Sequence, residues 1–294
     1  MAKLGGGAAK LVDIALRRYN VPEWARIYIY KYAARNKLAT IRHAIGMVSI
    51  GRKKGRITNE SVTLPNGMSF RMDSIVKLLS LFFHCAQSIA KLEEHWTTSY
   101  NVGNPEYEAR FSELAMQDFA RARAIKNLIE GLKYRVSAEP ESIKPLFDRL
   151  AQIDDWNERL LTMGIVLDYS LVKTFGIPFY KVFYPTVPEF MRSFGKAFTP
   201  KQGAERWCFT EASSLIASGR MPADQALGLS RELLMLVRES IDRNTALAKE
   251  LKIEKEISLL REIAIAYPLH TLRDAGMPID PEAEVSRILK QARG

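Results

Sequence analysis

Apolar side chains return along this chain at intervals of three, four and seven residues, the repeat that puts them on one face of an α-helix. Ile75, Leu79, Phe82, Ala86 and Ile89 form one such line, Phe111, Leu114, Ile125, Leu128 and Leu132 a second, and Ala212 and Leu215 part of another. A run from Leu160 to Leu167 is apolar almost throughout. These lines predict a long helix from an N-cap at Asp73 to about Thr98, and another from Pro105 to about Lys133. A third is predicted over about 153–175, and a fourth opens at Thr199-Pro200 and stops at Gly219. Met221-Pro222 opens a further helix to about Leu251. One from Ile253 is interrupted near Pro268, and Asp280-Pro281 caps a last short one.

Between the helices the punctuation changes. Ser61 to Leu64, a Pro65-Asn66-Gly67 turn, and Met68 to Arg71 read as a small β-hairpin. A Ser/Glu/Pro-rich linker covers 137–142, and three prolines and four aromatics between Gly176 and Pro188 predict an irregular connection. Two helices open the chain, one over about 8–19 and one from Pro22 toward Met47, followed by a basic loop, Gly51 to Gly55. The resulting division is a helical extension (1–56), a hairpin linker (57–72), a central helical bundle (73–219) and C-terminal helices packed on it (220–294). The fold class is all-α.

Charge sharpens that division. Residues 1–56 carry 13 Lys and Arg against 2 acids, a net +11, whereas the other 238 residues carry 30 against 31, a net −1. Arg17, Arg18, Arg26, Lys31, Arg35, Lys37 and Arg42 alternate with Tyr19, Trp24, Tyr28, Tyr30 and Tyr32, and Arg52, Lys53 and Lys54 fill the loop. Cations neutralise phosphates and rings stack on bases, so this composition suits RNA, DNA or a ribonucleoprotein. A solvated helix face whose aromatics dock on the bundle fits equally well. An anionic membrane surface fits less well, because rings and charges are not segregated. No RNP sequence or zinc finger accompanies the segment.

The remaining composition excludes more than it selects. Two cysteines, Cys85 and Cys208, are too few for a disulfide framework and point to the cytoplasm. No N-terminal stretch reads as a signal peptide. The two most apolar stretches are interrupted by Lys77, Asp168 and Lys173, so neither makes a convincing membrane span. Asn and Gln are sparse, as in heat-adapted proteins. There is no Walker sequence, G-x-G-x-x-G, G-x-S-x-G or Cys/His metal spacing.

Candidate chemistry lies where polar residues break into the apolar lines. Glu93 is the next member of the Ile75–Ile89 line. Asp118 and Arg121 sit inside the second line, Asp168 ends the Leu160–Leu167 run, and Glu205 and Cys208 align with Ala212 and Leu215. A buried carboxylate is unfavourable unless it is paired, protonated or bound to a cation, so four of them on four helices predict a shared interior site. Each taken alone also fits an acid that reaches the bundle end or pairs with a nearby lysine. Cys208 fits a small core residue as well as a ligand.

On these residues the chain resembles the ferritin-like superfamily, over roughly 73–219. The stretch Glu113-Leu-Ala-Met-Gln-Asp118-Phe-Ala-Arg121 looks like that family's second bundle helix, with Asp118 in its Glu position and Arg121 in its His position. Glu93 resembles the first-helix acid and Asp168 the third. Glu205-Arg-Trp-Cys208 resembles the fourth-helix motif with Cys for His. The resemblance implies a four-helix bundle, a carboxylate site for iron or manganese, and a metal-dependent oxidoreductase. Both motif histidines are replaced here, and Arg121 has no lone pair for a metal. The expectation is therefore a divergent relative with an altered, metal-poor or metal-free site, in which Arg121 compensates the acids.

Overall fold

The computed structural model describes residues 55–64, 67–98, 104–167, 171–183 and 203–291. Among them lie ten α-helices, one π-helical turn and one small sheet, so the all-α expectation holds.

The sheet has three antiparallel strands in the order β1 (Arg56–Ile57), β2 (Ser61–Thr63) and β3 (Ser69–Arg71), with Val62 paired to both Ile57 and Phe70. The expected hairpin is β2–β3, and β1 extends it by one short strand. Gly67 takes φ 83°, a left-handed conformation suited to glycine at the turn. Val62, Leu64 and Phe70 bury one face of the sheet in the core, and the Lys252 ammonium lies 5.5 Å from the Phe70 ring centroid.

Helix α1 (Met72–Thr98) and helix α2 (Pro105–Gly131) form the most extensive helix pair. They run antiparallel: Trp96 near the end of α1 meets Phe111 near the start of α2 at 5.8 Å. At the opposite end, Ser80 Oγ accepts from the Ser137 N–H at 2.9 Å, and His84 Nε2 donates to the Ser137 carbonyl at 2.8 Å. The α1 line of Ile75, Leu79, Phe82 and Ala86 is buried as its spacing requires. Asp73 lies inside the first turn of α1 rather than at its N-cap, ion-paired to Arg71. Asn104 caps α2, accepting from the Glu106 N–H, and Pro105 takes the first position. By length and composition α1 could cross a membrane, but 61% of its most apolar window is buried in the protein.

Past the linker, in a stretch for which no element was expected, a short helix α3 (Lys144–Leu150) packs against the later helix α7 (Ala223–Arg243). The third long helix is not continuous. Asp155 caps α4 (Trp156–Leu161), a π-turn follows at Thr162–Val166, and α5 covers Leu171–Phe183. The π-turn is closed by the Leu167 N–H donating to the Thr162 carbonyl, five residues back, at 2.8 Å. Gly164 lies in it against α6 (Ala204–Ala217). A Cβ there would overlap the Cys208 carbonyl and stand 3.0 Å from the Ala212 Cβ, so only glycine permits this approach.

Two expectations about proline are corrected. Residues 176–183 are helical, with Pro178 inside α5, and α9 (Glu254–Asp274) runs through Pro268. Both prolines are buried among neighbouring helices, whose packing offsets the missing hydrogen bond. The helix expected to reach Leu251 instead breaks at Asn244 into α7 and α8 (Thr245–Glu250). Asp280 caps α10 (Pro281–Lys290) as expected. Helix α9 packs against α5, α7 and the π-turn, and α10 is clamped by a bidentate Arg231–Glu284 pair at 2.5 Å. The Arg238 guanidinium also donates to the Ile288 carbonyl.

Candidate functional site

Helix α6 lies between α2 on one side and α4 with the π-turn on the other. That position brings residues from three helices together. Glu93 comes from α1, Asp118 and Arg121 from α2, and Glu205 and Cys208 from α6. Asp118 and Arg121 are three residues apart on α2 and so face the same way. Arg121 Nη1 donates to Asp118 Oδ1 at 2.7 Å, and Nη2 pairs with Glu205 Oε1. One planar guanidinium thereby ties two helices together.

Burial grades the site from inside to outside. Glu93 is fully buried and Asp118 is 6% exposed, while the Arg121 and Glu205 side chains are 21% and 34% exposed. Cys208 is buried beneath them. The apolar spacing thus correctly placed Glu93, Asp118 and Cys208 inside, and Glu205 stands at the mouth. Neither carboxyl oxygen of Glu93 has a hydrogen-bond partner. Asp168 lies outside the described residues, as do Arg17, Arg18, Arg26, Lys31, Arg35, Lys37, Arg42, Arg52, Lys53 and Lys54.

The electrostatics follow from this layout. Burial pushes the Glu93 carboxyl well above the ordinary range, and the charge of Asp118 raises it further. Arg121 pulls it down, and Glu205 adds a smaller upward push. Burial also raises Asp118, opposed by the charge and hydrogen bond of Arg121. For Arg121 burial works against the cation, but Asp118 and Glu205 outweigh it and the guanidinium is held more firmly charged. Burial raises the Cys208 thiol, and Glu93, Glu205 and Glu211 raise it further. Glu93 therefore favours its neutral form, and Cys208 stays a thiol.

Iron or manganese, which the resemblance implies, needs several free anionic oxygens or imidazoles. Arg121 already engages Asp118 and Glu205, and a thiolate at Cys208 is opposed from every side. Among the described residues no three His, Cys, Asp or Glu side chains are arranged to hold a metal ion. The described residues do not fit a two-metal centre. Of the two histidines that share a face of α1, His84 is committed to Ser137 and His95 is exposed.

One wall of the site escaped the sequence reading. Trp96, one turn beyond Glu93, meets Phe111 edge-on, and the ring contacts continue from Phe111 to Trp156, from Trp156 to Tyr107 and from Tyr107 to Trp207, edge or tilted at 5.1–6.1 Å. The buried Arg159 guanidinium lies over the Trp96 and Trp156 rings at 5.4 and 4.9 Å, and its Nε donates to the Ile153 carbonyl at 3.0 Å. Burial lowers its pKa. Of these rings only Phe111 lay on a predicted apolar line, and nothing in the local spacing singles out Arg159. Gly164 did carry a signal, as a glycine inside an otherwise apolar helical run. No family model matches the chain, and no curated protein matches its sequence.

Proposed function

We propose that the chain is a divergent ferritin-like protein, related to the di-metal carboxylate oxidoreductases, whose inner site has been rebuilt around Arg121. The observation that carries this reading is the convergence of Glu93, Asp118 and Glu205, from three helices, on one partly buried place. Three acids gathered in one partly buried place of a helical protein are poor for stability on their own account. Their retention is understandable as the remainder of a site for a cation. Since the described residues do not fit two metals, the bundle acts as a scaffold with an altered site rather than as a two-metal oxidase.

The ferritin-like reading requires Asp168 to reach the same place from the third helix. A double-mutant cycle between Glu93→Gln and Asp168→Asn tests this by denaturant unfolding. Residues in one charged cluster couple by about 0.5–3 kcal/mol, whereas distant ones add within about 0.5 kcal/mol. Coupling is expected. Simple additivity would place Asp168 elsewhere and end the ferritin-like assignment.

A second reading has its own support in the charge distribution, +11 over residues 1–56 against −1 over the rest. It assigns the protein's activity to binding RNA, DNA or a ribonucleoprotein through that segment, with the bundle as a neutral body. The two readings are compatible, because they concern different parts of the chain.

A further inference from the structure

We propose that the groove between α3 and α7 is the docking site of this chain's own basic segment. The rings of Trp24, Tyr28 and Tyr32 lie on its apolar floor, and the cations beside them meet its acids. The proposal rests on neither reading of function above.

The groove has a volume of about 310 Å³ and is built from two helix faces. Glu232, Met235, Leu236 and Glu239 come from α7, and Pro145, Asp148, Arg149 and Gln152 from α3 and the turn after it. Both sets follow the i, i+3, i+4, i+7 spacing, so each lies along one face over about 10 Å. Half-buried Pro145, Met235 and Leu236 make an apolar floor. Three acids line it against one arginine, and Arg149 is already engaged by Glu232, bidentate at 2.7 and 3.0 Å. The lining keeps a net −2. Asp148 makes no hydrogen bond or ion pair among the described residues, and Glu239 has only long contacts to Arg238 and Arg243, at 3.5 and 4.0 Å.

An apolar groove edged by acids selects an amphipathic helix whose apolar anchors stand beside cations. Residues 1–56 hold the complementary set. They carry a net +11, and over the helix expected from Pro22 the rings of Trp24, Tyr28 and Tyr32 recur at intervals of four, with Lys31 and Arg35 alongside. Those rings span about 12 Å of helix, close to the length of the groove. The Met235 thioether adapts to the shape of a ring and favours contact with it. The point of attachment also fits. The segment joins the described body at Gly55, just before β1. There the β1–β2 turn touches the linker that leads to α3, where Tyr134 Oη donates to the Asn59 carbonyl at 2.6 Å. That linker, at most about 30 Å long from Tyr134 to Ser142, ends beside the groove, and Ser142 accepts from Asn244 at the end of α7 at 2.9 Å. Residues 33–54 reach roughly 45 Å even with the first fifteen helical. Cations engaged in the groove are withheld from phosphate, so docking and nucleic-acid binding by the same residues exclude one another.

Photo-cross-linking of the full chain provides the test. Benzoylphenylalanine in place of Gln152, an exposed residue of the groove, is expected to cross-link to residues within 22–42, located by digestion and mass spectrometry. Reversing the acids with Asp148→Lys and Glu239→Lys should lower the yield roughly tenfold, since two attractions become repulsions. Should that variant melt below the parent, the parent charges in about 1 M salt take its place, with a severalfold loss expected from screening. Mixing chains with and without a heavy-nitrogen label separates docking within a chain from docking onto a second copy, and each product should carry a single label. The proposal is overturned by the absence of cross-links to residues 1–56, by a yield indifferent to charge reversal and to salt, or by products that join labelled to unlabelled chains.

Discussion

Arg121→Met is expected to lower the melting temperature of the metal-free protein by roughly 6–12 °C. Removing one partner of a buried ion pair typically costs about 3–5 kcal/mol, because the other charge stays behind unpaired. Here the lower end applies. The Glu205 side chain is 34% exposed, so water screens that arm of the pair, while the Asp118 side chain, 9% exposed, is stranded. About 3 kcal/mol in a domain of this size corresponds to the stated shift, at roughly 2–4 °C per kcal/mol. The loss should also grow with pH. Without Arg121, burial and the charge of Glu205 are left to raise the Asp118 carboxyl, so the variant folds best where that acid is protonated. Differential scanning calorimetry at acidic and alkaline pH gives both quantities. A variant that melts with the parent at every pH would mean that the guanidinium is an ornament of the surface.

Deleting residues 1–56 is expected to abolish salt-sensitive binding to RNA or DNA. The deleted stretch carries 13 cations, and the chain that remains has a net charge of −1. If about six of those cations contact phosphates of duplex DNA, the affinity of the full chain should fall roughly a thousandfold between about 50 and 200 mM salt. The truncated chain should bind too weakly to show a slope. Fluorescence anisotropy with a labelled duplex and a labelled single strand, across salt, measures both. Undiminished binding by the truncated chain would move the interface onto the helical body and remove the second reading.

How far the sequence carries can be seen residue by residue. Glu93 and Asp118 were legible because helical periodicity is a strong constraint: an acid at the next position of a buried line has nowhere else to point. Arg121 followed from Asp118 by its i,i+3 spacing. Glu205 shares its line with Cys208, yet it stands at the mouth while Cys208 is buried, since it opens the first turn of α6. Spacing fixes a face of a helix but not the depth along its axis. Pro178 and Pro268 misled for a different reason. The rule that proline ends a helix weighs one lost hydrogen bond, and here buried packing on several sides outweighs it. The π-turn at Thr162–Val166 and the stacked Arg159 depend on what α6 and the tryptophans do in three dimensions. No local pattern announces them, apart from Gly164.

The central claim is that Glu93 is held as a neutral acid within an arginine-compensated cluster, and the pH dependence of stability tests it most directly. A carboxyl whose folded pKa lies above its unfolded value takes up a proton on folding. Its site is then most favourable below the unfolded pKa and loses about 1.4 kcal/mol per pH unit as pH rises toward the folded pKa. Glu93→Gln replaces the neutral acid with a neutral amide of the same shape and removes that proton. Urea unfolding of the parent and of Glu93→Gln, from about pH 5 to about pH 8, should give curves that diverge. The parent weakens with rising pH, and the variant becomes the more stable of the two at the alkaline end. Parallel curves, or a variant that loses ground as the pH rises, would mean that Glu93 is a paired carboxylate and would contradict the account of the site.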